Sequence, residues 1–318
     1  MTKRTHSEAK AMAKASAMEV DSPHDSEAEL QSDSDSSSGS ESDAKSTVDV
    51  EFDFFDPKES DFHAIKQFLA QLFGEDGEKL NLSEMSDLIV NQPTIGTCVK
   101  VVGEDDPYAL LTVLNFNHHG TKPSIAQLKD YLINKAGKKS PVRSWLEKAL
   151  LPDNPLHIGL VIHERLMNMP PQIAPPMFKM LGEEIEWAVE DREPYDFSHY
   201  LVISKVYRQV AAVMDEDDDD DNSSDDDDQP RHQPQPPPKN RKKGKFADTV
   251  FYHQPEEELL AKLCDQTFDY NLSKNSTVTD SKRAFNDFGI ATSRRCFILS
   301  AAKMKEYATK LADFVQLP

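Results

Sequence analysis

Apolar and polar positions in this chain follow two different periods, and the switches between them mark out strands and helices. In Val48–Phe54, Val48, Val50, Phe52 and Phe54 alternate with acidic residues, the period-two pattern of a half-buried strand. Pro57 and Lys58 end it. Asp61 stands at the cap position of a helix carrying Phe62, Ile65, Leu69 and Leu72 at helical spacing, with Gly74 closing it. A second helix is predicted at Leu82–Asn91. Two β-rich runs follow, Ile95–Val102 and Tyr108–Phe116, joined by the turn-like GEDDP, and together they predict a hairpin.

Helical spacing returns at Ser124–Ala136 and at Pro141–Leu150, where Pro141 suits a first helical turn. Leu156–Ile162 (LHIGLVI) is a continuous apolar run, as expected of a central strand buried on both faces. The proline-rich stretch Met169–Pro176 is expected to be an extended link into a helix from Met177 to Asp191. That helix turns Met177, Leu181, Ile185 and Ala188 inward. Glu183, Glu186, Glu190 and Glu193 fall at i, i+3, i+7 and i+10 and so share another face. Tyr200–Val213 is rich in β-branched residues and predicts a long strand. After an interruption come a strand at Asp248–His253, a helix at Glu256–Thr267, and strands at Phe268–Leu272 and Arg295–Ser300. A last helix, Ala301–Val315, carries Met304, Tyr307, Leu311 and Phe314 at helical spacing. Alternating strands and helices with hairpin-like neighbours predict one α/β domain with a mixed sheet.

Composition explains the interruption. The 318 residues carry a formal charge of −20. Residues 1–56 hold 14 acidic and 5 basic side chains, and Asp215–Asp228 holds 11 acidic and no basic ones, so the remaining 248 residues are formally neutral. Residues 1–47 form an acidic, Ser-rich tail with almost no large apolar side chains; such a segment cannot offset its ordering entropy and is expected to be disordered. Residues 215–245 run from the acidic stretch through QPRHQPQPPP to a basic cluster, and this composition reads as a disordered insertion. The folded region is therefore expected to comprise 48–214 and 246–318.

Charge also narrows the function. A uniformly basic nucleic-acid binder is excluded, because a phosphate backbone requires a net of Lys and Arg; an acidic chain points to basic protein partners. The acidic face of Glu183, Glu186, Glu190 and Glu193, and the run containing Asp217, Asp218, Asp219, Asp220 and Asp221, are candidate contacts for such a partner. Each also reads as plain solvated surface. Lys239, Arg241, Lys242, Lys243 and Lys245 form a short cationic cluster flanked by prolines, as a nuclear-import receptor requires. The alternative is that this cluster folds back on the neighbouring aspartates.

Motifs for chemistry are missing. There is no G-x-G-x-x-G, and Gly137-Lys138-Lys139-Ser140 fails as a phosphate loop because Leu132 stands at the upstream glycine position and Lys139 intrudes before Ser140. His163-Glu164 begins an H-E-x-x-H pattern, but Met167 occupies the second ligand position. No G-x-S-x-G elbow occurs. His118 and His119 read as exposed turn residues, and His157 and His163 as core histidines flanking a buried strand. Cys98, Cys264 and Cys296 show neither zinc nor disulfide-framework spacing and read as buried thiols of a reducing compartment. No catalytic residue, cofactor or metal is predicted. Neither a signal peptide nor a membrane span is expected.

Several stretches together resemble a known family: VDVEFDFFDP, FHAIKQFLAQLF, QPTIGTCVKV before ALLTVLNF, NPLHIGLVIHERLMNMPPQIAPP, HYLVISKVY and FILSAAKM. They resemble the BCCIP family from about Val48 onward, with Glu164–Ile173 the most specific part. The family is named for interaction with a breast-cancer susceptibility protein and a cyclin-dependent-kinase inhibitor, and it includes fungal nuclear-export and ribosomal-chaperone members. The resemblance implies a fold similar to the GCN5-type acetyltransferases but no enzymatic activity, in keeping with the absence of a Q/R-x-x-G-x-G/A cofactor loop here. It further implies a nuclear protein, shuttling to the cytoplasm, that escorts a basic ribosomal protein of the large subunit. It carries links to recombination repair and cell-cycle control, and hence an alternative role as a repair scaffold. A diverged acetyltransferase is the alternative from another class.

Overall fold

The computed structural model describes residues 51–138, 140–151, 153–209, 249–273 and 290–316. Eight strands among them form one sheet: β1 (Phe52–Phe55), β2 (Thr97–Val101), β3 (Pro107–Asn115), β4 (His157–Arg165), β5 (Phe197–Gln209), β6 (Val250–Tyr252), β7 (Gln266–Tyr270) and β8 (Ile290–Ser300). Their order is β1-β2-β3-β4-β5-β8-β7, with β6 on the side of β5. Every neighbouring pair is antiparallel except β4 and β5. The expected mixed-sheet α/β class is met.

Helices cover both faces. On one side lie α1 (Phe62–Phe73), α2 (Leu82–Val90), α3 (Pro123–Lys135) and α4 (Pro141–Ala149), packed on Leu110, Leu114, Leu160, Ile162, Leu201 and Ile203. On the other lie α5 (Ala174–Glu190), α6 (Glu257–Leu263) and α7 (Ala301–Val315), packed on Leu111, Val113, Val161, Val202, Phe297 and Leu299. Successive strand residues point to opposite faces, so one apolar run feeds both cores. This is why β4 is buried along its length after His157. The β4–α5–β5 crossover is the connection a parallel pair requires.

Gly159 sits where β4 is most crowded. A Cβ there would lie 2.7 Å from Val113 Cγ2 and 3.1 Å from Tyr200 Cδ1, both in adjoining strands. Gly159→Ala is therefore expected to destabilise the domain by about 1–3 kcal/mol through overpacking. Urea unfolding checks this, and an unchanged midpoint would contradict the crowding.

Some element ends depart from the sequence pattern. α5 begins at Ala174 after a 3-10 turn at Pro171–Ile173, where an extended link running to Pro176 was predicted. Pro175 and Pro176 occupy the first turn, where no amide hydrogen is needed. α6 stops at Leu263, four residues short of the predicted end, because Cys264 is extended and the Asp265 amide bonds to the Ile298 carbonyl of β8. Asp61 does not cap α1: its carboxylate accepts from Lys100 Nζ (2.7 Å) and from the Lys58 amide (3.0 Å). β8 starts at Ile290 rather than Arg295 and pairs with β5 as far as Gln209.

Candidate protein-interaction site

Two features qualify as sites, one buried and one open. The buried feature is a gap at the centre of the sheet. Pairing between β4 and β5 ends at Val161 and Val202, although the strands continue to Arg165 and Gln209. Since β8 takes the other edge of β5, β6 occupies the edge that β4 leaves, pairing at Val206–Arg208. A crevice beyond the carboxyl ends of parallel strands is where open α/β sheets commonly bind ligands. Here it is filled by buried polar side chains. Lys205 Nζ reaches across to Glu164 Oε2 (2.5 Å). On the opposite face Arg165 makes a bidentate pair with Glu256, its Nη2 lying 3.0 Å from Oε2. The Gln254 amide donates to the His163 carbonyl (3.1 Å), which has no strand partner on that side.

Electrostatics follow from this burial. Burial favours the neutral acid at Glu256, but hydrogen bonds and charge from Arg165 outweigh it and hold the carboxyl below its ordinary range. Glu257 has no such partner. Burial pushes it up to about 8, only partly offset by the Ser204 hydroxyl that donates to Oε2 (2.5 Å). His163 is the core histidine the sequence predicts: burial pushes its imidazole down to about 4, and its ring packs edge-on to Phe178. His118 is exposed as expected, whereas His119 is half-buried. Cys98 and Cys296 are buried and Cys264 is half-buried, none of them in a disulfide among the described residues.

The open feature is a groove of about 800 Å³ between α5 and α7, floored by β5. Its floor and walls are mostly apolar, with Phe178, Leu181, Ile185 and Val189 from α5, Tyr200 from β5 and Met304 from α7. Three of the four glutamates predicted to share a face line it: Glu183, Glu186 and Glu190, joined by Asp196. Lys179 and Lys305 are the lining cations, and Lys305 pairs with Glu186 across the groove at 3.0 Å.

Glu193 is a correction. α5 ends at Glu190, Arg192 takes a left-handed conformation with φ 63°, and Glu193 accepts instead from the Thr94 hydroxyl (2.7 Å). Pro194 explains the break, because the residue before a proline is disfavoured in helix. Glu184 is the acidic residue of α5 that the pattern misses. It is buried and accepts from the Gly96 amide (2.9 Å), tying the helix to the start of β2. Asp217, Asp218, Asp219, Asp220 and Asp221 lie outside the described residues, as do Lys239, Arg241, Lys242, Lys243 and Lys245.

Fold and groove define a mixed-sheet α/β protein with a filled central crevice and an open, acid-rimmed helical surface. Comparison with known proteins makes the assignment specific. The family model described as BCCIP matches residues 47–260, and the chain belongs to the BCCIP family. Protein bcp1 of Aspergillus fumigatus is 38% identical over 278 residues, spanning 85% of this chain and 89% of its own. Protein bcp1 of Schizosaccharomyces pombe is 36% identical over 269 residues, spanning 84% and 90%. The crystal structure of BCP1 from Saccharomyces cerevisiae shares the fold, with a TM-score of 0.54 at 21% identity over 85% of this chain and 91% of that one.

Proposed function

We propose that this protein is a non-enzymatic nuclear adaptor that escorts a basic protein of the large ribosomal subunit during ribosome biogenesis and nuclear transport. The observation that carries this reading is the acid-rimmed apolar groove between α5 and α7. A basic ribosomal protein that has not reached its RNA exposes a cationic surface prone to non-specific RNA binding. Carboxylates on a chain of net charge −20 attract that surface at long range, and apolar contacts at the groove supply short-range affinity. The filled crevice between β4 and β5 supports a binding role over an enzymatic one, since Lys205–Glu164 and Arg165–Glu256 occupy the place of a ligand. The cationic cluster Lys239–Lys245 supports entry to the nucleus through an import receptor.

Co-expression with individual large-subunit ribosomal proteins tests the reading. One basic protein is expected to become soluble and to co-elute with this chain at physiological salt. Co-elution is expected to survive deletion of residues 215–228, with the encounter slowed, because recognition lies on the folded surface. If none of the proteins gains solubility or co-elutes, the reading is wrong.

A further inference from the structure

We infer that the α5–α7 groove takes one amphipathic helix from a basic partner, seated closest over Gly182. The form of the occupant follows from the walls. Both sides are α-helices whose backbone groups are spent on their own hydrogen bonds, and the floor is mostly carbon. An extended segment lying there would leave its amides and carbonyls unpaired, whereas a helix satisfies its own. The dimensions agree. The lining runs from Pro175 to Glu190 on α5, about 22 Å, and from Ala301 to Ala312 on α7, about 17 Å. That is room for roughly three to four helical turns.

The sign of the partner follows from the rim. Glu183, Glu186, Glu190 and Asp196 outnumber the lining cations Lys179, on the same helix as the glutamates, and Lys305 on α7. Lys305 is already paired with Glu186. Among the described residues Glu183 and Glu190 have no ion-pair partner. Lysine or arginine flanking an apolar stripe complements this arrangement.

Gly182 supplies an independent observation. It lies inside α5 and lines the groove, although glycine is the poorest helix former after proline. Its φ is not left-handed, and a Cβ added there meets nothing within 4 Å. Nothing among the described residues calls for a glycine at that point. A second helix crossing there does, since an absent side chain lets two backbones approach closely. The inference rests on the adaptor reading only for the source of the partner helix.

The test uses the full chain and a fluorescent, end-capped peptide of about 15 residues with leucines at i, i+3, i+4 and i+7 and lysines on both flanks. Two companion peptides carry a central proline or glutamates in place of the lysines. Fluorescence anisotropy is expected to show binding of the first peptide only. Gly182→Leu is expected to weaken it at least tenfold without lowering the Tm. Gly182→Ala is expected to weaken it several-fold while raising the Tm by about 2–4 °C, the shift for removing a helical glycine from a domain of this size. Glu183→Lys combined with Glu190→Lys is expected to weaken it about tenfold at low salt, and less at high salt. Equal binding of the proline or glutamate peptide, or unchanged binding to Gly182→Leu, overturns the inference. So does a chain that is dimeric as wild type and monomeric as Gly182→Leu, because the occupant is then a second copy. If the peptides behave as expected but no ribosomal protein is captured by co-expression, the groove stands and the adaptor reading falls. If a ribosomal protein is captured equally by wild type and Gly182→Leu, the adaptor reading stands and the groove inference falls.

Discussion

Replacing Arg165 with methionine is expected to cost about 3–5 kcal/mol of folding stability, the usual penalty for breaking one side of a buried ion pair. Arg165 is the last residue of β4, and Glu256 directly precedes α6. Glu256 is fully buried, and Arg165 supplies both of its hydrogen bonds to the pair. Without the guanidinium, the carboxylate must stay buried and unpaired or take up a proton. Gln254 Oε1 also loses the Arg165 donor at 3.3 Å. Against a typical total of about 5–15 kcal/mol, such a loss brings the domain close to its threshold. The damage has a predictable place. Arg165–Glu256 pins the returning chain, β6 and α6, onto the sheet across 91 residues of sequence. Hydrogen exchange is expected to show residues 250–263 losing protection before the β3–β4 ladder.

The double variant Arg165→Met/Glu256→Leu separates a latch from a net source of stability. Removing both charges leaves no orphaned ion, and apolar replacements of buried pairs are often neutral or stabilising. The double variant is expected to recover most of the loss in urea unfolding, so that the two single losses together exceed the double loss by at least about 3 kcal/mol in the mutant cycle. A loss below about 1 kcal/mol in the single variant would falsify the latch, since that is the scale of an exposed pair.

Periodicity reads elements well when one face is apolar and poorly when a charge stands in phase with the core. The run LHIGLVI is legible as a central strand because both faces are apolar. The predicted end at Ile162 misses His163, Glu164 and Arg165, which continue the same strand. A signal for them exists. Glu164 is in phase with Leu160 and Ile162, and Lys205 is in phase with Leu201 and Ile203, so opposite charges on the same core-facing register mark a buried pair. For Arg165 and Glu256 no local pattern indicates that they meet, because their contact depends on β6 entering the gap. The groove is legible only by halves. The spacing of Glu183, Glu186 and Glu190 is visible along one helix, while the apolar trough beside them needs α7, more than a hundred residues away, to form its second wall. Glu193 shows the converse: helical spacing continued past a point where Pro194 already argued for a stop.

Stability is expected to fall with rising pH more steeply in the wild type than in Glu257→Gln, and the difference is attributable to a single buried proton. Glu257 is enclosed near Glu256 and Glu164, and burial first, then those carboxylates, push its carboxyl up to about 8. An unfolded glutamate ionises near pH 4.3. Between these values the folded chain keeps a proton that the unfolded chain has released. Glu257 therefore contributes no penalty below about pH 4 and costs about 1.4 kcal/mol per pH unit above it, until the folded group itself ionises. The accumulated loss by pH 8 is on the order of 4 kcal/mol. His163 and His253, both pushed down to about 4 by burial, act with the opposite sign. Their contribution is complete above about pH 6.5 and is lost as pH falls through 4. Glutamine cannot titrate, so the wild-type curve minus the Glu257→Gln curve removes the histidines and every other shared group. Urea unfolding at about pH 5, 6, 7 and 8 is expected to give a difference that declines steadily with pH; parallel curves would show that Glu257 is ionised throughout. A neutral Glu257 also makes physical sense of the crevice. It leaves Lys205–Glu164 on one face and Arg165–Glu256 on the other as two balanced pairs, with no third buried anion to accommodate.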